Sequence, residues 1–585
     1  MKKSGFTAFW LTIFLSTAHL ITGQGHSDII EICTAPGDQS YVQVAYDLNH
    51  DEYLMVWEDN RNGNNNCDIY GQFIDGDGTL IGDNFAICTA EGHQYWPRLV
   101  FDPMYNRYFV VFEDWRNGPD NGDIRGVFVD SDGDFVDAST SDDDHTFGIC
   151  THEYAIYTCA VAINYKQGYY LVVWGDFRND PEGTSYIGED VYGQIVQTDG
   201  MLAYPQDPTV NFPIANSEQI DESVADVTYN PVTDEFFVVF GNSMGYVVGQ
   251  RVTHTGQLLN PDGSAAAKNM AVESMLPGLP VSLQFHNGPD CLQARVTSRT
   301  ERISVSAKPM AQAGTEVLVV WKGMYEDAAD NDVWGHRIGF IQEDDKYVAA
   351  YVDLDGNLTE NVAQFPISIQ ENAVNAPELA YGLQDDEFMV GWGDPRTYGW
   401  GGQDLYTQRL DVNGSDEMIF LADDRVNTVT HTENNPVHAT SDYEGGLLGV
   451  AHGVARNEFL IGYTCAAAGS QTGADIYARR FYGTPSTVVS GDLHAALPNR
   501  FLLGQNHPNP FNSATVIPFQ VKETCHVRIT LFSVRGREIA TLEDRTYQPG
   551  FHEIAFNGSG LTTGVYFYRI ETPYYSASRK MLIIE

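Results

Sequence analysis

The sequence predicts an all-β protein in two parts, and three observations carry that prediction. A self-similar unit, built on an apolar strand that ends in an aromatic residue and an acidic loop, recurs seven times between Ile30 and Gly483. Asp-Gly and Asn-Gly dipeptides punctuate the units, supplying the positive φ angles that tight hairpins need. In the last eighty or so residues the chain changes to short alternating runs, such as Val527, Ile529 and Leu531 against Arg528, Thr530 and Phe532, the period of a half-buried strand.

Taken in order, Lys2 and Lys3 precede a largely apolar run from Phe6 to about Ile21, the layout of a secretory signal peptide with cleavage expected after Gly23. An uncleaved membrane anchor is the alternative. No later stretch approaches the ~18 apolar residues needed to span a bilayer, so the processed chain is expected to have no transmembrane segment. The expected parts are a leader over 1–23, a repeat region over 24–487, a linker over 488–498 and a C-terminal domain over 499–585.

The first half of a unit reads Tyr53-Leu54-Met55-Val56-Trp57-Glu58-Asp59, and returns over Tyr108–Asp114, Tyr170–Asp176 and Phe388–Asp394, with weaker copies ending at Phe240, Trp321 and Tyr463. The second half reads Asp68-Ile69-Tyr70-Gly71-Gln72 and returns from Asp123, Asp190, Tyr246, Asp332, Asp404 and Asp475. A strand precedes each pair, as at Gln43–Tyr46 and Arg98–Phe101. A fourth follows a turn such as Asp77-Gly78, Asp132-Gly133, Asp199-Gly200, Asp355-Gly356 or Asn413-Gly414. Four short antiparallel strands in units of ~50 residues or more describe a β-propeller blade. Pro261 to Thr300 reads as an insertion in unit four, so seven blades are expected with eight as the competitor. The seventh unit stops near Phe481 without an outer strand, while Ile29–Thr34 looks like the outer strand at Asn84–Thr89. The first strand of the chain is therefore expected to complete the last blade, which removes two exposed sheet edges.

The formal net charge is −46. The leader holds two lysines, and from Arg500 onward there are nine basic and seven acidic residues, which leaves −50 on the part between. A field of that sign repels nucleic acid and anionic lipid, and favours cations, basic partners or neutral polymers. Solubility alone also accounts for it. The eight cysteines, Cys33, Cys67, Cys88, Cys150, Cys159, Cys291, Cys465 and Cys525, show no CxxC or Cys/His zinc pattern. An exported chain meets conditions that permit disulfides. Cys33, Cys88 and Cys150 hold equivalent positions on successive units, beyond the ~7 Å Cα separation a disulfide spans; Cys150 with Cys159 is the sterically conceivable pair.

An Asp-x-Arg-Asn signature recurs at Asp59-Asn60-Arg61-Asn62, Asp114-Trp115-Arg116-Asn117 and Asp176-Phe177-Arg178-Asn179, with the variant Asp394-Pro395-Arg396 in unit six. It falls in the loop between the second and third strands, on the rim where chains cross between blades. These residues are candidate grips for a polymeric ligand, or else a hydrogen-bonded lock that shapes each loop; repetition favours the lock, since a catalytic site is normally singular. Loop aromatics Trp115 and Trp400 suit stacking on sugar rings or ordinary loop packing. The acidic turns Asp75-Gly76-Asp77-Gly78 and Asp130-Ser131-Asp132-Gly133-Asp134 raise calcium, but the twelve-residue loop pattern is not met and hairpin turns explain both. No cofactor and no metal site is expected. His431, His438 and His452 would need to converge to act together, and scattered surface positions are the plainer reading. No Gly-x-Ser-x-Gly elbow, HExxH helix or phosphate loop is present, and no carboxylate pair for glycoside cleavage is singled out.

The C-terminal segment carries several motifs in a fixed order: Gln505-Asn506-His507-Pro508-Asn509-Pro510-Phe511-Asn512, then Val527–Phe532, Gly536-Arg537-Glu538, Pro549-Gly550-Phe551-His552, Leu561–Arg569 with Gly564 and Tyr566, and a close on Lys580-Met581-Leu582-Ile583-Ile584. In that order and spacing it resembles the type A C-terminal sorting domain of cargo for the bacterial type IX (Por) secretion system. The resemblance implies a partner, the secretion machinery, and a place, secreted or on the outer surface of a Gram-negative-type bacterium. Alternation with turns at Pro549-Gly550 and Thr563-Gly564 fits a small immunoglobulin-like β-sandwich. The expected function is non-enzymatic binding of an extracellular glycan or protein, with a carbohydrate-active hydrolase or lyase as the alternative and a surface-layer component as a third reading, since one fold hosts all of these.

Overall fold

The computed structural model describes residues 26–63, 66–118, 121–138, 141–151, 156–179, 188–203, 211–216, 222–242, 246–266, 282–284, 294–299, 315–324, 331–343, 346–352, 358–359, 365–368, 377–382, 387–394, 404–412, 418–420, 424–425, 437–438, 448–467, 474–482, 502–503, 506, 511–512, 514–521, 524–534, 537–547 and 550–583. The leader 1–23 and the linker 488–498 lie outside them. Every regular element among the described residues is a strand, and none of them forms a helix long and apolar enough to cross a membrane.

Upstream of residue 483 the described strands form seven antiparallel sheets. In the first, Gln39–Asp47, Glu52–Asp59, Asp68–Asp75 and Leu80–Cys88 pair in that order. The second repeats it with Gln94–Asp102, Arg107–Asp114, Asp123–Asp130 and Phe147–Cys150. The first strands of the third to seventh sheets are Ile156–Asn164, Glu222–Asn230, Ala294–Arg299, Glu378–Gly382 and Leu448–Gly453. The seventh sheet takes its outer strand from the other end of the chain: Ile30–Cys33 pairs antiparallel with Ala474–Tyr482, Ile30 opposite Ala478.

Each first strand lies against the first strand of the next sheet, and Leu448–Gly453 lies against Gln39–Asp47, so the contacts run in a closed cycle. Buried side chains follow the same cycle. One cluster joins Leu54 and Val56 of the first sheet to Tyr108 and Val110 of the second, and another joins Leu460 and Ile476 of the seventh to Val42 and Trp57 of the first. The aromatics that end the second strands, Trp57, Trp174, Trp321 and Trp392, are fully buried in these layers. Large rings bury the most apolar area per residue, which suits them to packing between sheets.

The Gly-Gln of the second half-unit has two separate jobs. A Cβ at Gly71, Gly193 or Gly335 would meet Phe or Ile side chains of the outer strand within 3.0 Å, at Ile87, Ile214 and Phe365. Only glycine lets that strand lie so close. The neighbouring Gln72, Gln194 and Gln250 donate Nε2 to a carbonyl of the outer segment, Ile81, Ala203 and Leu259, at 2.8–2.9 Å.

Two expectations need correction. In the Pro261–Thr300 stretch, expected as an insertion, described segments join the sheets: Ser282–Gln284 pairs with the fourth sheet and Ala294–Arg299 opens the fifth; residues 267–281 and 285–293 lie outside the described residues. No Cys150–Cys159 bond forms; all seven described cysteines are buried free thiols, and Cys291 lies outside the described residues. The two sulfurs face different neighbours, Cys150 near Arg178 Nη2 and Cys159 near the Trp96 carbonyl.

The C-terminal residues form two further sheets around one core. Leu502–Leu503, Ala514–Val521 and Gly550–Asn557 make three strands. Glu538–Tyr547, Cys525–Ser533, Gly564–Glu571 and Ser576–Ile583 make four, in that order. Alternate residues Val527, Ile529 and Leu531 meet Tyr568, Ile570, Ile517 and Phe519 in the interior, as period-two patterning requires.

Candidate functional site

The Asp-x-Arg-Asn loops are built alike in the first three sheets. Asp59 is fully buried; its carboxylate accepts from the Arg61 backbone N–H at 2.8 Å, from Arg61 Nε at 2.9 Å and Nη2 at 2.6 Å, and from Trp57 Nε1 at 2.9 Å. Asp114 takes the same bonds from Arg116 at 2.9, 2.9 and 2.7 Å. Asp176 takes them from Arg178, with Trp174 Nε1 at 3.0 Å. The asparagines close the other side of the loop: Asn62, Asn117 and Asn179 donate to Asp68, Asp123 and Asp190 at 2.6, 2.9 and 2.5 Å. Charge-assisted, two-pronged bonds of this kind fix a loop firmly. Arg61 and Arg178 also lie over the rings of Tyr70 and Tyr192, each 4.0 Å from the centroid. Trp115 packs on Gly122 and points its indole N–H at Glu113 Oε2, 3.3 Å away. In the sixth sheet Asp394 ends the strand Glu387–Asp394, while Arg396 and Trp400 lie outside the described residues.

These loops share a rim with the crossovers between sheets, since Asn60 N donates to Asp38 O and Trp115 N to His93 O. On that rim the first strands of the first four sheets begin with a bulge. Register shifts fall between Ser40 and Gln43, Tyr95 and Arg98, and Tyr157 and Cys159. Tyr41, Trp96 and Thr158 stand in the bulges with φ of +53°, +55° and +46°, a conformation that costs a non-glycine residue free energy. The preceding sheet supplies an anchor: Glu58 Oε1 accepts the Trp96 N–H at 2.7 Å, and Glu113 accepts the Thr158 N–H. Burial pushes both carboxyls up to about 8, and for Glu58 the nearby Glu113 adds to the rise.

Sequence reading missed a second set of buried ions at the opposite rim. In the fourth to seventh sheets a glutamate opening the second strand pairs with an arginine of the third. Arg251 meets Glu235 at 2.8 and 2.9 Å, Arg337 meets Glu316 at 3.0 and 3.1 Å, and Arg480 meets Glu458 at 2.9 and 2.7 Å. Arg409 and Glu387 form the fourth pair. The available signal is the arginine two residues after the glycine position in Gly249-Gln250-Arg251, Gly335-His336-Arg337, Thr407-Gln408-Arg409 and Ala478-Arg479-Arg480.

The acidic turns spend their carboxylates locally: Asp75 accepts from Asp77 N, and Asp130 from Asp132 N and Asp134 N. Among the described residues no group of three or more His, Cys, Asp or Glu is arranged to hold a metal ion. His452 is not on the surface; it is buried, bonds Asn457, and burial lowers its imidazole to about 4. His431 lies outside the described residues, and His438 is described only as part of a short strand.

At the C-terminal domain the sorting residues converge on one end. Phe511 is buried, and its N–H donates to Leu582 O at 3.0 Å. Gly564 faces Ile583 across the strand pair, Tyr566 is buried, and Lys580 faces Phe567. Arg537 and Asn512 are exposed; Pro508, Asn509, Pro510 and Gly536 lie outside the described residues.

The end module is thus a small two-sheet sandwich with its described motif residues gathered at one pole, the class of domain that serves as an export address. Residues 506–585 match the secretion system C-terminal sorting domain family, and this segment is the type IX sorting domain of the chain. The chain is therefore cargo for the type IX machinery, bound for the cell surface or the extracellular space. Among curated proteins none matches the chain. Among solved structures it is similar to a periplasmic gluconolactonase of Pseudomonas aeruginosa, at 14% identity over 74% of this chain and 100% of that one, TM-score 0.35. An N-acetylgalactosamine deacetylase of F. plautii is 11% identical over 59% and 95%, TM-score 0.31. An endo-arabinase of Bacteroides thetaiotaomicron is 8% identical over 53% and 92%, TM-score 0.28. At such scores these likenesses carry no argument about activity.

Proposed function

We propose that the seven sheets form a seven-bladed β-propeller over residues 24–487, exported behind a leader at 1–23 and joined by a linker at 488–498 to the sorting tail at 499–585, and that the propeller is a non-enzymatic binding module for an extracellular glycan or protein. The observation that carries this reading is the export address at 506–585, which delivers the propeller to the place where such ligands are met. The engagement of Asp59, Asp114 and Asp176 by their own arginines supports a scaffold role for the loop acids over a reactive one. The loop arginines Arg61, Arg116 and Arg178, only partly buried, are the polar contacts a ligand would meet on that rim.

A hydrolase or lyase is the second reading, favoured by one observation. Glu58 and Glu113 are carboxyls held near neutral pH, the range in which a general acid works. Their burial and their bonds to backbone N–H groups argue for an anchoring role instead. The test is retention of the purified chain on insoluble cellulose, chitin and xylan, with and without chelator, together with release of soluble sugar. Retention without release supports the binding module, and loss of retention with chelator brings in calcium. Sugar release moves the reading to the enzyme; no retention on any polymer removes the glycan and leaves a protein ligand.

A further inference from the structure

A repeated scaffold shows its site where the repeat is broken. The bulge that opens the first strand in the first four sheets holds Tyr41 in the first and Trp96 in the second, but Thr158 in the third and Val224-Ala225 in the fourth; the described first strands of the other three sheets pair without a bulge. The two aromatic copies meet: the rings of Tyr41 and Trp96 lie 5.4 Å apart and within 18° of parallel. Both residues are half-buried on the rim that carries the lock loops. Both backbones are held at positive φ, and strain of this kind is kept where it positions a functional group. Glu58 holds the Trp96 backbone in place and is itself steadied by Ser40 Oγ at 3.4 Å. A second stacked pair, His93 and Tyr95 at 5.0 Å and 11°, continues the aromatic sector in the same crossover.

Two residues beyond Trp96, Arg98 reaches out of the second sheet and pairs with Glu378 of the sixth at 3.1 Å. Both residues sit on first strands of sheets that are not neighbours in the cycle, so the pair spans the space those strands enclose. Their side chains keep 17% and 11% exposure. Aromatic faces beside a planar, charged donor and acceptor are what a sugar ring needs: its C–H face stacks and its rim of hydroxyls hydrogen-bonds.

We propose that Tyr41 and Trp96 form a stacking platform for a neutral sugar ring, with the Arg98–Glu378 pair beside it to receive the hydroxyls. This rests on the glycan reading above and names the site within it. Glu58 is a positioning residue for Trp96 and does not touch the ligand.

The test uses the full chain on cellulose, chitin and xylan. Wild type is expected to be retained on at least one of them. On that polymer Tyr41→Ala and Tyr41→Leu are expected to bind about tenfold more weakly, the loss of about 1.4 kcal/mol, whereas Tyr41→Phe keeps the ring and binds as wild type. Tyr574→Ala, an exposed aromatic on the sorting domain, serves as a control and is expected to leave binding unchanged. The leucine and phenylalanine variants keep the apolar packing, so the comparison survives if the alanine variant does not fold. Equal retention of wild type and Tyr41→Leu would overturn the platform while leaving the binding module standing. A wild type retained on none of the three polymers would overturn the platform together with the glycan reading, leaving a protein ligand for the module.

Discussion

The repeat region and the C-terminal sandwich bury their sheets by the same alternation but leave opposite surfaces. The sequence between the leader and Arg500 carries −50, and its described sheets turn their large apolar groups into seven shared layers. The sandwich carries a small positive excess, yet Val534, Ile539, Val565, Phe567 and Tyr574 are five of the nine exposed large hydrophobic side chains among the described residues. Phe532 and Phe567 face each other on the outer side of the four-stranded sheet, flanked by Arg569 and Lys580. An apolar patch rimmed by charge marks a surface that meets a partner. The difference separates a strongly acidic body from a tail whose outer sheet face is apolar and basic.

The largest expected effect follows from that patch. Replacing Val565 and Phe567 together by serine removes exposed rather than core atoms, so the melting temperature of the purified chain should stay within a few degrees of wild type. Export should nevertheless fail in a host with a type IX system, with the protein retained in the cell. Normal export of that variant would mean the address is read elsewhere on the domain.

Within the repeat region the ion pairs dominate. Arg337 and Glu316 are both fully buried, and removing one partner leaves an uncompensated charge. Arg337→Met should cost about 3–5 kcal/mol, read as a lower denaturant midpoint, while the double variant with Glu316→Leu should recover most of it. The lock at the other rim is smaller. Its arginines keep 11–21% side-chain exposure, so Asp176→Ala should cost about 1–3 kcal/mol. If the two substitutions proved equal, burial would not be what distinguishes the two rims.

These two sets of ions were not equally legible in the sequence. The Asp-x-Arg-Asn lock is local, with both partners two residues apart, and its repetition announces it. The Glu–Arg pairs lie 16 to 22 residues apart across two strands, so only the register reveals that Leu318 faces Arg337 and brings Glu316 within reach. The strand pattern and the buried tryptophans could be read from periodicity, and the C-terminal module from its motifs. The bulge residues could not: nothing in Tyr41 or Trp96 signals positive φ, and the Trp96 backbone is held by a glutamate from another sheet.

That glutamate gives the smallest effect and the most direct contrast between the two regions. Glu58 and Glu113 are buried, and desolvation lifts each from an ordinary 4.5 to about 8 in the folded chain. Between those values the folded state holds protons that the unfolded chain has released. Their contribution to stability is therefore complete below about pH 4.5 and is lost as the pH rises through about 8. Glu538, Asp544 and Glu571 of the sandwich, by contrast, are exposed. In the Glu58→Gln, Glu113→Gln chain the amide oxygens still accept the Trp96 and Thr158 N–H groups but cannot ionise. Denaturant midpoints of wild type should fall from pH 5 to pH 9 more steeply than those of the variant, with the two curves diverging on the alkaline side. Parallel curves would mean that the glutamates titrate as surface acids do, and that the strained bulges are anchored by something other than a buried carboxyl.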